Sequence, residues 1–181
     1  YGALSDMGAM LMALGTGTEL GMKAAVTLIL FRAISLVVIG IGLSAIRHQR
    51  GSDAFSDMEG MARQRPLATA TLILGGLSLA GLPPLAGFAA RWQLLNFFAT
   101  EHTNWCWLIF LAGWGVAFGY LRGLRATLSS PPKPIEHPSS PEPLISIIVA
   151  VAAIILAATL GSNPRPILTL TARIVTALPT P

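Results

Sequence analysis

Charged side chains are scarce in this sequence, and long apolar runs take their place. Lys, Arg, Asp and Glu make up 11% of the 181 residues, and hydrophobic residues make up 53%. Soluble domains carry about 25% charged residues. The composition therefore excludes an ordinary soluble domain and indicates an integral, multi-pass membrane protein.

The sequence contains a single cysteine and none of the motifs of soluble enzymes named below. The single thiol, Cys106, lies in an apolar stretch, which excludes an internal disulfide and offers no cluster of metal ligands. The sequence has no Walker loop, no G-x-G-x-x-G fingerprint and no nucleophile elbow. We therefore expect this chain to hold no metal, no bound cofactor and no catalytic residue of its own.

The basic residues do not form a nucleic-acid surface. The net charge is +4, yet Lys and Arg are not clustered on one face between aromatic residues, as they are in nucleic-acid-binding domains. In membrane proteins an excess of basic residues in loops reflects topology. The expected partner is thus the lipid bilayer and not a nucleic acid.

The alternation of apolar and polar segments predicts an all-α integral membrane fold, a multi-span helical bundle with one discontinuous helix. The predicted membrane segments are 1–17 (a truncated span), 24–46, 67–99 (the broken helix), 105–126 and 144–160. The segments expected outside the membrane are a polar connection at 18–23, a cytoplasmic loop at 47–66, a Pro- and Ser-rich loop at 127–143 and a tail at 161–181 that suits an amphipathic helix. Since the first span looks truncated, we expect the C-terminal portion of a longer protein.

The segment 67–99 combines apolar character with helix breakers at its centre: Gly81, Pro83, Pro84 and Gly87, followed by Arg91. Proline has no backbone N–H and its ring clashes with the carbonyl one turn back. In lipid such a break persists only where protein or water covers the exposed backbone groups. A broken helix beside a charge is typical of ion paths in transporters. A Pro-kinked span with a packing role is the alternative, and the residues alone leave both open.

The broken segment could cross the membrane once as two half-helices, or turn back as a hairpin. The loops 47–66 and 127–143 contain Lys or Arg, whereas the connection at 100–104 contains neither. A single crossing places both basic loops on one side of the membrane. The positive-inside rule therefore favours the single crossing.

Charged residues within the predicted spans are candidates for function. An arginine at the centre of a span costs about 2.5–3.5 kcal/mol on insertion scales, and such residues mark function by default. Arg32 should therefore face the bundle interior and meet a partner, for which Asp6 is a candidate. Glu19 and Lys23 stand four residues apart, in the order that favours a helical ion pair, and are expected near an interface.

The stretch SLAGLPPLAGFAARWQLL resembles the S-L-x-G-x-P-x-x-x-G-F-x-x-K segment of the proton-translocating, antiporter-like membrane subunits of respiratory complex I (NADH-quinone oxidoreductase) and their Mrp antiporter and hydrogenase relatives. Three further segments resemble this family in the same order: YGALSDMGAMLMAL (Y-S-S-I-x-H-M-G-Y), LFRAISLVVIG (F-K-A-L-L-F-L-x-x-G) and DMEGMARQRPLATA (D-x-x-G-L-x-x-x-x-P-x-x-A). The Tyr-Leu-Arg run at 120–122, the Pro-rich loop and the final span are most similar to subunit N of complex I. The resemblance covers nearly the whole chain.

The resemblance implies a membrane subunit in which the broken helix interrupts a half-channel. Proton translocation would be driven by quinone reduction elsewhere in the complex, so NADH and quinone would be used by the complex and not bound by this chain. The partners would be other membrane subunits, and the location a bacterial plasma membrane. The proton-path candidates are Arg91, Arg32, Asp6, Glu19 and Lys23.

Several of these positions depart from the family pattern. Arg91 stands where the family has a lysine or glutamate, Arg32 where many members have a lysine, Asp6 at a family histidine and Leu28 where many members have a histidine. A buried lysine can exchange a proton, but arginine stays protonated. Three functions therefore remain open: a proton-translocating subunit, an Mrp-type cation/proton antiporter subunit, and a structural membrane subunit that does not pump.

Overall fold

A computed structural model describes residues 2–50, 60–101, 103–129 and 144–177. These residues form α1 (Gly2–Gly15), α2 (Glu19–Arg50), α3 (Met61–Gln64), α4 (Pro66–Ala80), α5 (Ala86–Glu101), α6 (Thr103–Leu128), α7 (Leu144–Ser162) and α8 (Arg165–Ala177). No strand occurs within those ranges, so the all-α prediction is confirmed. Parts of the two predicted basic loops, 51–59 and 130–143, lie outside the described residues.

Within the described part of the chain, three helices are long and apolar enough to cross a membrane: Glu19–Arg47 within α2, Thr103–Leu128 and Leu144–Ser162. Helices α1 and α4 are apolar but shorter. The chain is therefore an integral membrane protein with several candidate spans, as its composition predicts.

Helix α2 begins five residues before the apolar run that predicts it. Thr18 accepts a hydrogen bond on Oγ1 from the Gly21 N–H at 3.1 Å, which caps the helix start. Glu19 and Lys23 form an ion pair of 2.5 Å on the first turns. A cap and an i,i+4 pair both stabilise a helix terminus. The predicted polar connection at 18–23 is therefore mostly helical.

Helices α2 and α4 pack closely because glycines let their backbones approach. A Cβ on Gly42 would lie 2.5 Å from the Leu72 nitrogen, and one on Gly75 would lie 2.9 Å from the Ile39 nitrogen. Small residues at such crossings are typical of packed membrane helices. Since residue 72 lies beside 42 and residue 75 beside 39, the two helices run antiparallel.

Helices α4 and α5 follow one another along the long helix α2. One core cluster joins Ile46 in the C-terminal half of α2 to Leu72 of α4. A second core cluster includes Ala24 and Leu28 from the N-terminal half of α2 and Leu94 of α5. The interruption at residues 81–85 thus lies beside the middle of α2, with α4 on one side of it and α5 on the other.

The remaining helices cover α4 and α5. The Tyr120 ring of α6 lies on Gly76 of α4, where a Cβ would come within 2.1 Å of it. Helix α7 packs on α2, α4 and α5, and α8 packs on α2. Thr171 of α8 lies against Thr27 of α2, with their hydroxyl oxygens 3.3 Å apart. Helix α8 is amphipathic, with Thr171 and Val175 buried.

Candidate functional site

A buried ion pair joins α1 to α5 beside the helix interruption. The Arg91 Nη2 atom lies 2.5 Å from the Asp6 Oδ1 atom, and the two side chains are only 9% and 3% exposed. Asp6 is on the second turn of α1, and Arg91 is on the second turn of α5. A charge at membrane depth must be paired or hydrated, and here two opposite charges satisfy each other.

The sequence proposed Asp6 as the partner of Arg32, but the structure pairs Asp6 with Arg91. Helical side chains point toward the N-terminus of their helix, so Arg91 reaches back across the interruption. A Cβ on Gly81 would lie 2.6 Å from Arg91 Cδ, and one on Gly113 would lie 2.3 Å from Arg91 Nη1. The arginine stem and head therefore occupy space that two glycines leave open.

Two backbone carbonyls also accept hydrogen bonds from Arg91. Its Nη2 donates to the Leu79 carbonyl at 3.4 Å and its Nη1 donates to the Ile109 carbonyl of α6 at 3.3 Å. The Leu79 carbonyl is available because the residue four positions on, Pro83, has no N–H to donate. The C-terminal end of a helix also carries partial negative charge, which favours a cation there. The end of α4 therefore forms part of the arginine site.

The interruption itself has a regular helix-ending geometry. Gly81 is left-handed at φ 79°, and its N–H donates to the Ser78 carbonyl at 2.9 Å. The Leu82 N–H donates to the Leu77 carbonyl at 3.1 Å, which completes a Schellman motif. The Pro83–Pro84 peptide bond is cis. The four predicted breaker residues all lie at this turn or, for Gly87, on the first turn of α5.

Arg32 is placed differently from Arg91. Its Nη1 lies 3.9 Å from the Met10 sulfur, which is a weak acceptor. Its Nε is buried and has no hydrogen-bond partner among the described residues. The Asp6 carboxylate forms its ion pair with Arg91 and not with Arg32.

The other sequence-proposed site residues lie elsewhere. Glu19 and Lys23 pair with each other, with side chains 63% and 36% exposed. No hydrogen bond or ion pair of the described residues links them to Asp6 or Arg91. Leu28 is buried in the apolar core, so this position provides packing where the family resemblance implies a histidine.

An apolar cleft of about 200 Å³ opens beside the interruption, between α5 and α6. Among the residues that the structure describes, Arg91 is the one charged residue of its lining. The larger side chains around it are Phe88, Trp92, Leu95, Phe110 and Trp114. Within the described ranges, no group of three His, Cys, Asp or Glu side chains could hold a metal ion.

Some residues of the site are not evident from the sequence. Ser35 and Ser78 lie with their hydroxyl oxygens 2.8 Å apart at the interruption, and Gly113 makes room for the guanidinium. Ser78 begins the motif that carries the resemblance, which is a signal for it. Ser35 and Gly113 have no local signal, because their roles depend on the packing of α2 and α6.

Comparison with known proteins agrees with this architecture. A model of the family described as NADH:quinone oxidoreductase/Mrp antiporter, transmembrane part, matches residues 1–116. A chain of the respiratory complex I of Thermus thermophilus, solved with bound aureothin, superimposes with a TM-score of 0.63 and 24% identity, covering 93% of this chain and 43% of that one. That structural likeness concerns the fold.

Curated relatives include proteins named NADH-quinone oxidoreductase subunit N. The one from Desulforamulus reducens is 30% identical, over 92% of this chain and 35% of its own length. The one from Beijerinckia indica is 31% identical, over 90% of this chain and 35% of its own length. This chain thus spans about a third of the length of the curated relatives it matches. The apolar helices and these bacterial relatives place this chain in the plasma membrane. The family match shows that the chain belongs to the NADH:quinone oxidoreductase/Mrp antiporter transmembrane family.

Proposed function

We propose that this chain is part of a membrane subunit of a complex I-type NADH-quinone oxidoreductase and that it contributes to proton translocation coupled to quinone reduction. The observation that carries the proposal is the buried Asp6–Arg91 ion pair at the helix interruption. The relatives named subunit N support the redox complex as its setting. The chain itself would be non-catalytic, with NADH and quinone used by other parts of the complex.

Asp6 is the group of this pair that can exchange a proton. An arginine stays protonated throughout the physiological range, so Arg91 would act as a fixed cation. A carboxylate can alternate between a charged, paired form and a neutral form. Proton transfer through this site would therefore occur on Asp6, while Arg91 stabilises its charged form, in place of the lysine exchange that the family resemblance implies.

The interruption would provide the polar surroundings that such a step needs. Ending α4 at Ala80 leaves backbone carbonyls without intrahelical partners, and Arg91 uses one of them, that of Leu79. In lipid, such groups are tolerated where protein or a water-filled cavity covers them. The half-helix ends would thus support a short polar path at membrane depth. The surrounding bilayer and other membrane subunits are the partners we propose.

The test is made in the full-length protein assembled in its complex. We expect Asp6→Asn to reduce the number of protons translocated per electron while quinone reduction by the assembled complex continues. Asp6→Glu keeps an ionisable carboxyl and should retain part of the translocation. Arg173→Gln serves as the control for the loss of a charge, since Arg173 of α8 is exposed and is not one of the proton-path candidates. Normal proton-to-electron ratios in assembled Asp6→Asn would overturn the proposal.

A structural subunit without transport is the second candidate. It is favoured by the three hydrogen bonds of Arg91, which donates to one carboxylate and two carbonyls. A pair held this firmly could serve only to join α1, α4, α5 and α6. In that case assembled Asp6→Asn and Arg91→Lys variants would differ from the wild-type protein in stability but not in protons per electron.

An Mrp-type cation/proton antiporter subunit is the third candidate, because the family description includes Mrp antiporters. The same residues would then serve exchange of a cation against protons without electron transfer. Native electrophoresis of the tagged full-length protein in mild detergent separates the two settings. Migration in a large assembly that reduces quinone supports the redox complex. Migration without redox activity, together with cation/proton exchange in vesicles, would replace it with the antiporter.

A further inference from the structure

Two buried serines lie at the point where α4 ends and α5 begins. The Ser35 and Ser78 hydroxyl oxygens are 2.8 Å apart, and both residues are fully buried. Ser35 also donates to the Phe31 carbonyl at 3.0 Å, and the Gly87 N–H donates to the Ser78 oxygen at 3.0 Å. A hydroxyl has one proton to donate. Since Ser35 donates to Phe31, Ser78 donates to Ser35, and one chain of hydrogen bonds joins α5, α4 and α2.

Ser78 performs the task of a helix cap from across the interruption. The first N–H groups of a helix have no partner within it, and the side chain just before the helix commonly accepts one of them. The residue before α5 is Leu85, whose side chain has no hydrogen-bond acceptor. Ser78, nine residues before Gly87, accepts that N–H instead. Without it, this amide would be buried and unsatisfied at membrane depth.

The backbones of α4 and α5 also touch where Gly87 meets Ser78. A Cβ on Gly87 would lie 1.8 Å from the Ser78 carbonyl oxygen, so only glycine permits this approach. Arg91 follows Gly87 by one turn. Its guanidinium meets the carbonyl of Leu79, and its stem covers Gly81. The offset between α4 and α5 therefore decides where the guanidinium lies relative to Asp6.

We propose that Ser78, oriented by Ser35, is a positioning residue that fastens α5 to α4 and so holds Arg91 against Asp6. The inference rests on the proposed function in so far as the position of Arg91 matters for proton transfer. Whether Ser78 holds Arg91 against Asp6 can be tested independently of that function, because the ion pair can be monitored without measuring transport.

The test uses labelling of Asp6 by dicyclohexylcarbodiimide, an apolar reagent that modifies protonated carboxyl groups, in membranes containing the full-length assembled protein. In the wild-type protein, burial and the ion pair protect Asp6. In Ser78→Ala we expect Asp6 to be labelled about fivefold faster. This factor corresponds to the loss of one buried hydrogen bond. Arg91→Met, which removes the partner, gives the upper reference rate. Mass spectrometry of the Asp6 peptide quantifies the product.

Thr71→Val is the matched control. Thr71 is also a fully buried hydroxyl residue of α4, but its hydroxyl donates to the Leu67 carbonyl of its own helix. It should leave labelling at the wild-type rate. Ser35→Ala keeps the Gly87–Ser78 contact and removes only the orienting partner, so its labelling should fall between those of the wild-type protein and Ser78→Ala.

If Asp6 is labelled at the wild-type rate in both serine variants, the inference is overturned. If Ser78→Ala does not assemble, the labelling rate of Ser35→Ala alone decides. Proton-to-electron ratios measured on the same membranes should fall with the increase in labelling. If labelling increases in Ser78→Ala while assembled Asp6→Asn translocates normally, the positioning role stands and the proposed function fails. If Asp6→Asn loses translocation while neither serine variant changes labelling, the proposed function stands and the positioning role fails.

Discussion

Arg91 and Asp6 are separated by 85 positions in the sequence, and their Nη2 and Oδ1 atoms lie 2.5 Å apart in the structure. The contact joins α1 to α5, the helix that follows the interruption. Because both side chains are buried, neither charge can be removed without leaving the other uncompensated. This relationship is the basis of the first two predictions.

Asp6→Asn should destabilise the protein more than the double variant Asp6→Asn/Arg91→Met. Removing one partner of a buried pair costs about 3–5 kcal/mol because a buried charge is left alone, whereas replacing both partners is often close to neutral. Thermal unfolding of the detergent-solubilised full-length protein measures the difference. A double variant less stable than the single variant would contradict this explanation.

Arg91→Met should cost more stability than Arg32→Met. Arg91 donates to a carboxylate and two carbonyls, whereas Arg32 has one contact with the Met10 sulfur and a buried Nε without a partner among the described residues. Thermal unfolding of the two variants compares them directly. Equal losses would mean that Arg32 has a strong partner outside the described residues.

Gly81→Ala should destabilise the interruption and disturb Arg91. A left-handed residue with a Cβ costs about 1–2 kcal/mol, and the added Cβ would also lie 2.6 Å from Arg91 Cδ. Gly40→Ala is the control, because nothing lies within 4 Å of a Cβ there and alanine favours a helix by up to about 1 kcal/mol. We expect the thermal unfolding temperature to fall in Gly81→Ala and to rise in Gly40→Ala. A Gly81→Ala variant as stable as Gly40→Ala would argue against a requirement for glycine at this turn.

Gly161→Ala should separate the end of α7 from the interruption. A Cβ at residue 161 would lie 1.9 Å from the Pro84 carbonyl oxygen, and overpacking of this kind typically costs about 1–3 kcal/mol. Gly119→Ala on α6 has open space around its Cβ and serves as the control. The yield and unfolding temperature of the full-length variants measure the effect. Equal behaviour of the two variants would mean that α7 can shift without loss.

The sequence predicted the all-α fold and the approximate helices because membrane insertion depends on local composition. A run of some twenty apolar residues is sufficient to indicate a span. Prolines and glycines change the backbone locally, so the position of an interruption near residues 81–87 could be predicted as well. The start of α2 was harder to predict, since the Thr18 cap and the Glu19–Lys23 pair outweigh polar composition at that point.

Which charges meet could not be predicted. Asp6, Arg32 and Arg91 were all recognisable as unusual at membrane depth, and the sequence suggested Arg32 as the partner of Asp6. The pairing with Arg91 depends on how α1 packs against α5 and on the space that Gly81 and Gly113 leave open. Those distances arise from contacts between residues far apart in the chain.

The sequence by itself determined that this is a multi-span helical membrane protein with helix breakers near residues 81–87, few interior charges, and arginines at positions where the family it resembles has lysines. Composition and local backbone chemistry suffice for that. Only the tertiary structure decided that Asp6 pairs with Arg91, that Arg32 is left with a sulfur contact, and that Ser78 caps α5 across the interruption. The physical reason is that hydrogen bonds and ion pairs act over about 3 Å, and only packing brings distant residues that close.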